Sequence, residues 1–302
     1  MKPTLLILAA GMGSRYGSLK QMDGLGPNGE AIIDYSIYDA IRAGFGKVVF
    51  VIRESFAEPF KKHFRAEKFR EDIQFEFVYQ SLDKIPAGFD VPEGRLKPWG
   101  TNHAVMMAAD VIHEPFAVIN SDDFYGRASY KTMADYLQSI EGTKGNYALV
   151  GYHLENTLSD YGTVSRGICG VDKENYLTSV TERTAIGHDG DEVYYIDGKE
   201  KFNLDPHSFV SMNFWGFTPE YFKHSERIFK HFLKDNQDNH KAEFFIPYVA
   251  DKLIKEEKAT FKVLDCDAKW FGVTYKEDRP NTVERINSLI AAGEYPHKIW
   301  IE

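Results

Sequence analysis

Residues 4–20 read TLLILAAGMGSRYGSLK, an unbroken apolar run followed by a glycine-rich turn with two basic residues. Leu5–Ala9 has the composition of a strand that is buried on both faces. The glycines after it allow a tight turn in which main-chain N–H groups approach an anion, and Arg15 and Lys20 supply fixed positive charge. The segment predicts a first strand and a polyphosphate-binding turn. The alternative is an ordinary strand-to-helix connection with two solvated basic side chains.

Two common phosphate-binding motifs do not fit this turn. The dinucleotide fingerprint requires a third glycine at position 16, where Tyr16 stands, and Gly17 comes one residue late. A Walker A loop requires Gly-Lys followed by Ser or Thr, and that step is absent from the turn. Neither a nicotinamide-dependent oxidoreductase nor a P-loop ATPase is therefore indicated.

The hydrophobic pattern predicts an α/β fold with a mostly parallel sheet. In the first half, strand-like runs at 47–52, 74–80 and 116–120 alternate with helix-like segments at 31–43, 56–69 and 104–112. Such alternation is typical of a Rossmann-like α/β/α sandwich, in which ligands bind beyond the carboxyl ends of the strands. From about residue 145, shorter runs and hairpin turns predict a smaller β-rich subregion, with strands at 147–151, 162–166, 177–181, 209–217 and 260–264 and helices at 219–233, 244–256 and 280–292.

Composition limits the class of protein and its partners. The 302 residues are 43% hydrophobic and 27% charged, which is typical of a folded globular protein. The net charge of −9 supplies no general basic field for nucleic acid or an anionic membrane. Cys169 and Cys266 lack zinc-binding spacing and indicate a reducing compartment. The apolar run at the N-terminus is too short for a bilayer and ends without a cleavage site, so we expect a cytoplasmic protein.

Two adjacent acids follow the predicted strand at 116–120. Asp122 and Asp123 would be costly at the end of a buried strand unless water or a cation compensates their charge. Asp122 is therefore a candidate metal ligand, although capping of the next segment or exposure to water remains an alternative. Asp123 would point to the opposite side of an extended chain.

The opening motif, Leu8–Arg15 together with Lys20, resembles the signature of the sugar nucleotidyltransferase family, the nucleotide-diphospho-sugar pyrophosphorylases. Further residues match in the same order along most of the chain, although the first third matches most closely: Gln80, Gly100-Thr101, Ser121-Asp122, Tyr161-Gly162, Glu182-Arg183, Asn213 and Trp270. The resemblance implies the nucleotide-diphospho-sugar transferase fold and one catalytic domain over residues 1–302. Its nucleotide-binding half would be residues 1–144 and its sugar-phosphate-binding half residues 145–302.

The resemblance implies roles for residues of the nucleotide-binding half. The backbone of Ala10, Gly11 and Gly13 would surround the nucleotide. Arg15 and Lys20 would neutralise the departing pyrophosphate as the catalytic cations. Base recognition would fall to Gln80, Gly100 and Thr101. Asp122 would bind Mg²⁺, an ion that suits carboxylate and phosphate oxygens.

In the second half, the resemblance implies contacts with the sugar phosphate. Gly162 would form part of the sugar-binding turn, and Glu182 would accept hydrogen bonds from sugar hydroxyls. Arg183 stands where the family carries a lysine at the sugar phosphate, which keeps the charge but changes the geometry. Asn213 would contact the sugar from an apolar strand. For Glu182 and Arg183 the alternative is a solvated strand end, and for Asn213 it is an amide satisfied inside the protein.

The chain departs from the family pattern in two places. Gly272 stands where many relatives carry a second metal-binding aspartate, and Asp265, Asp267 and Asp278 are possible substitutes or simply surface acids. The long loop between Gln80 and Gly100 is typical of a lid or binding loop. Its last residue, Trp99, either stacks on the base or ribose or packs inside the protein.

The reaction implied by the resemblance joins a nucleoside triphosphate to a sugar 1-phosphate and releases pyrophosphate. Two alternatives remain open at this point. One is a cytidylyltransferase that acts on a non-sugar phosphate such as phosphocholine or a polyol phosphate. The other is a catalytically silent, nucleotide-binding regulatory relative, which the missing aspartate at Gly272 suggests. The sequence does not identify the base, the sugar or the oligomeric state.

Overall fold

A computed structural model describes residues 1–11, 23–69, 72–159, 162–190, 192–272 and 278–300. Seven α-helices are assigned in these ranges: Ile32–Ala43 (α1), Ala57–His63 (α2), Thr101–Met106 (α3), Arg127–Ser139 (α4), Glu220–Asp235 (α5), Ile246–Lys255 (α6) and Asp278–Ala291 (α7). The strands are Thr4–Leu8 (β1), Lys47–Ile52 (β2), Gln74–Tyr79 (β3), Phe116–Asn120 (β4), Asp123–Phe124 (β5), Asn146–His153 (β6), Val164–Val171 (β7), Leu177–Asp189 (β8), Glu192–Asp197 (β9), Glu200–Leu204 (β10), Phe209–Phe217 (β11), Thr260–Asp265 (β12) and Phe271–Gly272 (β13). None of these helices is both long and apolar enough to cross a membrane.

Strand β1 is the centre of a parallel core with the order β3-β2-β1-β4. Leu5, Leu6 and Ile7 have no exposed surface, because β1 lies between two strands and two layers of helices. Their side chains alternate between the faces, so Leu5 and Ile7 join a core cluster with α1, α2 and α4. Leu6 joins the cluster that α3, α5 and α6 cover on the other face. An unbroken apolar run is therefore what this position requires.

Beyond β4 the sheet continues in antiparallel fashion through β11, β7, β8, β9 and β10. Strand β11 also pairs with β6, and β6 pairs in parallel with β12. The register of β11 against β6 shifts between Ser211 and Trp215. Asn213 lies within this bulge with a positive φ of 64°. The β-rich subregion is thus an extension of the central sheet.

The predicted fold class is confirmed, with local differences in element length. Strand β8 runs to Asp189 rather than Thr181, because it pairs with β7 over its first part and β9 over its last. The predicted helix at 104–112 begins earlier, at Thr101, and ends at Met106. Beyond that residue most backbone bonds connect residues three apart, such as Ala109 N to Met106 O, so tight turns replace the α-helix.

A buried polar cluster attaches the C-terminal segment to α1. The Tyr295 hydroxyl donates to Asp39 Oδ2 at 2.6 Å, and Arg42 Nη2 lies 2.6 Å from Asp39 Oδ1. Arg42 Nη1 also donates to the Glu294 carbonyl at 2.7 Å. Burial raises the pKa of Asp39 to about 7, and Arg42 and Tyr295 partly offset that rise. Without these donors the Asp39 carboxyl would be buried with fewer partners.

Replacing Tyr295 by phenylalanine tests this attachment. Tyr295→Phe keeps the ring packing but removes the hydroxyl donor to Asp39, so we expect a loss of about 1–3 kcal/mol in the free energy of unfolding. Denaturant titration measures the change, with Tyr176→Phe at an exposed tyrosine as the matched control. Equal stability of the two variants would contradict the assigned role.

Candidate functional site

The carboxyl ends of β1 to β4 lie along one edge of the sheet. Backbone bonds continue past the strand ends, from Ala9 N to Val51 O at 2.9 Å and from Gln80 N to Ile52 O at 2.9 Å. Ser121 N likewise donates to Leu8 O at 3.3 Å. The turn after β1, the loop after β3 and the acids after β4 therefore begin at the same edge, where ligands bind in open α/β sheets.

The described part of the glycine-rich turn consists of Ala10 and Gly11. Ala10 is buried, and its carbonyl oxygen accepts a hydrogen bond of 2.8 Å from Arg53 Nε at the end of β2. Among the described residues, no atom lies within 4 Å of the position that a Cβ atom would take at Gly11. The predicted residues Gly13, Arg15 and Lys20 lie outside the described residues.

Gln80 is held by two hydrogen bonds of its side-chain amide. Its Nε2 atom lies 3.1 Å from the Gly100 carbonyl oxygen and 3.1 Å from His103 Nδ1. His103 is fully buried, and its Nε2 atom lies 2.6 Å from the Lys84 carbonyl oxygen. Burial lowers the pKa of His103 to about 4. The hydrogen bond to Lys84 acts to raise this pKa, and the charge of Arg95 lowers it further. The imidazole is therefore neutral near pH 7.

Gly100 and Thr101 form a close junction between α3 and the segment before α6. Gly100 has a φ of 108°, and a Cβ atom there would lie 2.7 Å from the backbone N and O of Phe244. The Thr101 hydroxyl accepts a hydrogen bond from Ile246 N at 3.3 Å. Gly100 and Thr101, the two residues predicted to read the base, therefore also pack the end of the loop against the segment before α6.

The loop between Gln80 and Gly100 is anchored by its own side chains. Trp99 is 1% exposed and donates from Nε1 to the Leu82 carbonyl at 3.0 Å. The Arg95 guanidinium lies 3.7 Å above its ring and donates to the Ala242 carbonyl at 2.6 Å. Trp99 therefore packs inside the protein, and the stacking alternative is wrong for this structure.

The two acids after β4, Asp122 and Asp123, are both half-buried. Asp123 Oδ2 accepts a bond of 2.8 Å from Asn120 Nδ2, and the Tyr125 hydroxyl lies 3.3 Å from the same oxygen. Tyr125 is itself fixed by the Met212 carbonyl at 2.9 Å. Asp123 is thus held within the protein, next to the predicted metal ligand Asp122.

Asn213 reaches this same cluster from β11. Its Nδ2 atom donates to Asn120 Oδ1 at 2.7 Å, and its Oδ1 atom accepts from Trp215 Nε1 at 3.0 Å. Both the nitrogen and the oxygen of the amide therefore have hydrogen-bond partners inside the protein. This agrees with the alternative prediction, in which the protein itself satisfies the Asn213 amide. The structure nevertheless brings Asn213 beside the carboxyl end of β4, so a ligand there would lie close to it.

The strand pair β5–β13 explains the glycine at position 272. Gly272 lies opposite Asp123 in the register, and a Cβ atom on it would come within 2.9 Å of Asp123 Oδ1 and 3.0 Å of the Trp270 ring. A side chain therefore does not fit at this position without rearrangement. Among the described residues, no group of three or more His, Cys, Asp or Glu side chains could hold a metal ion alone.

The three acids considered as substitutes lie in different places. Asp265 faces His153 at 3.5 Å, and Asp267 is exposed. Asp278 lines a small cavity together with Arg166 and Arg285. Gly272 lines the same cavity as Asp278.

The predicted sugar-phosphate residues lie on the antiparallel extension. Gly162 is exposed just before β7, and Glu182 on β8 lies opposite Gly167. Arg183 stacks on Tyr195 with 4.6 Å between its guanidinium and the ring. Burial raises the pKa of Glu182, whereas the nearby Arg166 lowers it.

Sequence reasoning missed three residues of this region. Arg53 directly follows a strand, so the carboxyl-end rule could have found it. His103 follows the predicted Thr101 by two residues, but nothing in the sequence indicated its buried contacts. Arg166 lies 4.8 Å from the Trp270 ring, and burial lowers its pKa to about 10 despite the opposing charges of Asp123 and Glu182. No sequence signal indicated that contact.

Comparison with known proteins identifies the family. A family model described as nucleotidyl transferase matches residues 4–273. The chain belongs to the nucleotidyl transferase family. No curated protein matches the sequence of this nucleotidyltransferase.

Solved structures share the fold of this nucleotidyltransferase at low sequence identity. The inositol-1-phosphate CTP transferase from T. maritima has a TM-score of 0.62 and 13% identity, over 96% of each chain. A UDP-glucose pyrophosphorylase complexed with UDP-glucose has a TM-score of 0.59 and 16% identity, over 95% of this chain and 99% of that one. A putative glucose-1-phosphate thymidylyltransferase from Bacillus anthracis has a TM-score of 0.59 and 12% identity, over 94% of each.

The junction at Gly100 yields a prediction for stability. Gly100→Ala places a Cβ atom against the Phe244 backbone in a left-handed conformation, so we expect the nucleotidyltransferase to lose about 2 kcal/mol or more of unfolding free energy. Gly88→Ala is the matched control, because Gly88 has a φ of 89° with open space around it. Its loss should be limited to about 1 kcal/mol of backbone strain. Denaturant titration distinguishes the two, and equal losses would refute the steric explanation.

The buried His103 predicts a pH dependence of stability. Because its folded pKa of about 4 lies below the ordinary 6.5, only the unfolded chain takes up the proton between these values. The free energy of unfolding should therefore fall by about 3 kcal/mol from pH 6.5 to pH 4 through this residue. Denaturant titrations of the nucleotidyltransferase and its His103→Gln variant across this range isolate the contribution. An identical pH slope in both proteins would contradict it.

Proposed function

We propose that this nucleotidyltransferase joins a nucleoside triphosphate to a sugar 1-phosphate and releases pyrophosphate. The observation that carries the proposal is the alignment of β1 with β4, which brings the Ala10-Gly11 turn and Asp122 to one edge of the sheet. Family membership supports nucleotidyl transfer. Two structural neighbours, a UDP-glucose pyrophosphorylase and a glucose-1-phosphate thymidylyltransferase by name, support the sugar phosphate as acceptor.

In this proposal the nucleotide lies across the ends of β1 and β3. Its phosphates would lie against the backbone of Ala10, Gly11 and Gly13. Gln80, Gly100 and Thr101 face the base. The Gln80 Nε2 atom is already bonded to the protein, so its Oε1 atom is the end of the amide that meets a base donor.

The residues after β4 suit a magnesium ion. Mg²⁺ commonly takes one or two carboxylates and completes its shell with water and substrate phosphates. Asp122 and Asp123 both supply half-buried carboxylates, and Asp123 is also held by Asn120 and Tyr125 beside Gly272. Asp122 would hold the ion, with Asp123 next to it. When bound, the ion would offset charge on the nucleotide phosphates.

The acceptor would bind on the antiparallel extension. Gly162, Glu182, Arg183 and Asn213 are its proposed contacts. Asn213 keeps one amide proton and one oxygen lone pair beyond its bonds to Asn120 and Trp215, and the bond to Asn120 holds it beside β4. Residues 1–144 and 145–302 would thus serve the two substrates as halves of one catalytic domain. The composition favours a cytoplasmic location.

The proposed reaction is a single displacement. A phosphate oxygen of the acceptor forms a bond to the α-phosphorus, and the bond from that phosphorus to the bridging oxygen breaks in line with it. Pyrophosphate leaves with the electron pair. Positioning and electrostatic stabilisation dominate such transfers, so the chain needs no nucleophilic side chain. Arg15 and Lys20 would stabilise the charge that develops on the leaving group.

A polyol phosphate is the second candidate acceptor. The structural neighbour with the highest TM-score among those described above is an inositol-1-phosphate CTP transferase by name, and it covers 96% of this chain. Its likeness concerns the fold, so it extends the range of acceptors to be tested rather than replacing the sugar phosphate.

A substrate matrix tests the proposed function. The four common nucleoside triphosphates are combined with sugar 1-phosphates, inositol 1-phosphate and phosphocholine, and pyrophosphate release is measured with Mg²⁺ and with EDTA. We expect magnesium-dependent release with one triphosphate and a sugar 1-phosphate. Release only with a non-sugar acceptor would favour the second candidate. Tight nucleotide binding without release would instead indicate a catalytically silent relative.

Lys20 gives a residue-level prediction. Lys20→Ala should lower kcat by at least about a hundredfold, because it removes a cation from the leaving pyrophosphate, with little change in melting temperature. Lys173→Ala, at an exposed lysine in the turn between β7 and β8, is the control that should leave kcat unchanged. Full activity of Lys20→Ala would refute the role proposed for Lys20.

A further inference from the structure

The orientation of the Gln80 amide follows from a chain of hydrogen bonds that begins at Lys84. The Lys84 carbonyl oxygen can only accept, so the His103 Nε2 atom 2.6 Å from it must carry a proton. His103 is fully buried and neutral near pH 7, because burial lowers its pKa to about 4. A neutral imidazole has one ring proton, so its Nδ1 atom is an acceptor.

Two acceptors then determine which end of the Gln80 amide faces the protein. The atom 3.1 Å from His103 Nδ1 and 3.1 Å from the Gly100 carbonyl must be the amide nitrogen, since each of its two protons has one acceptor. The reverse orientation would place the amide oxygen against two acceptors. Gln80 Oε1 therefore points away from both.

We propose that His103 is a positioning residue that holds the Gln80 carbonyl oxygen toward the nucleobase, so that the site selects a base edge with an N–H donor. This inference rests on the proposed function. Gln80 is half-buried at the carboxyl end of β3, on the edge assigned to the nucleotide. A flipped amide would present a donor there and would favour a base edge with an acceptor. His103 thus acts on specificity without touching the ligand.

The first test uses the protein without ligand. In ¹⁵N NMR spectra of the wild-type imidazole at pH 7, Nε2 should be protonated and Nδ1 unprotonated. Gln80→Glu replaces the donating amide by a carboxylate, which can only accept, so His103 should gain a proton on Nδ1. Gln74→Glu, at the exposed start of β3, is the matched control and should leave His103 unchanged. A wild-type spectrum with a protonated Nδ1 and an unprotonated Nε2 would overturn the inference.

The second test separates the two hydrogen bonds of His103. His103→Asn can keep an acceptor near the position of Nδ1 but loses the bond to Lys84, whereas His103→Gln can keep a donor to Lys84 but loses the acceptor for Gln80. We expect His103→Gln to bind its nucleoside triphosphate about tenfold more weakly than His103→Asn, which corresponds to one neutral hydrogen bond. Inorganic tripolyphosphate, which has no base, should bind both variants equally in calorimetric titrations.

A purely structural role for His103 predicts another pattern. Affinity for triphosphate and tripolyphosphate would then fall together and follow the melting temperature of each variant. That result, or equal nucleotide affinity of the two variants beside a binding wild type, would overturn the inference alone. A wild-type protein that binds no nucleoside triphosphate would refute the proposed function, and with it the direction assigned to the Gln80 oxygen.

Discussion

The parallel pairing of β1 with β2 and β4 is the constraint on which the rest of the structure depends. The register joins Leu8 to Val51 on one side and to Asn120 on the other. A slip of one residue would turn every side chain of β1 to the opposite face and expose Leu6 or Ile7 to the wrong core. The same register aligns the strand ends, so burial of the apolar side chains and assembly of the candidate site share one cause.

Most of the fold was predictable because its strongest signal is local. The apolar run at Leu5–Ala9 and the alternation that follows identify a parallel core, and the structure confirms it. The end of the helix after Thr101 was not predictable, since residues 106–112 are mostly apolar while their backbone forms tight turns. Apolar periodicity reports burial and does not separate an α-helix from successive turns.

The sequence indicates candidate site residues only where the residue type and its position at a strand end point to the same chemistry. Asp122 and the turn at Gly11 follow from strand ends and charge. Gln80 and Gly100 came from family resemblance, and His103, which contacts the Gln80 amide, came from neither source. A histidine on a helix is common, and only the distances from His103 to Gln80 and Lys84 indicate its role. Trp99 shows the converse, because an aromatic residue beside a proposed base site is buried under Arg95.

Strand β11 belongs both to the parallel core, through β4, and to the antiparallel extension, through β7. The two proposed substrate regions therefore share one hydrogen-bonded sheet, in which neighbouring strands are about 4.8 Å apart. Strand β1 leads to the nucleotide turn, and β11 carries Asn213. Because β4 alone lies between these two strands, they are about 10 Å apart. Backbone hydrogen bonds therefore hold the segments that carry the two proposed substrate regions at a fixed spacing.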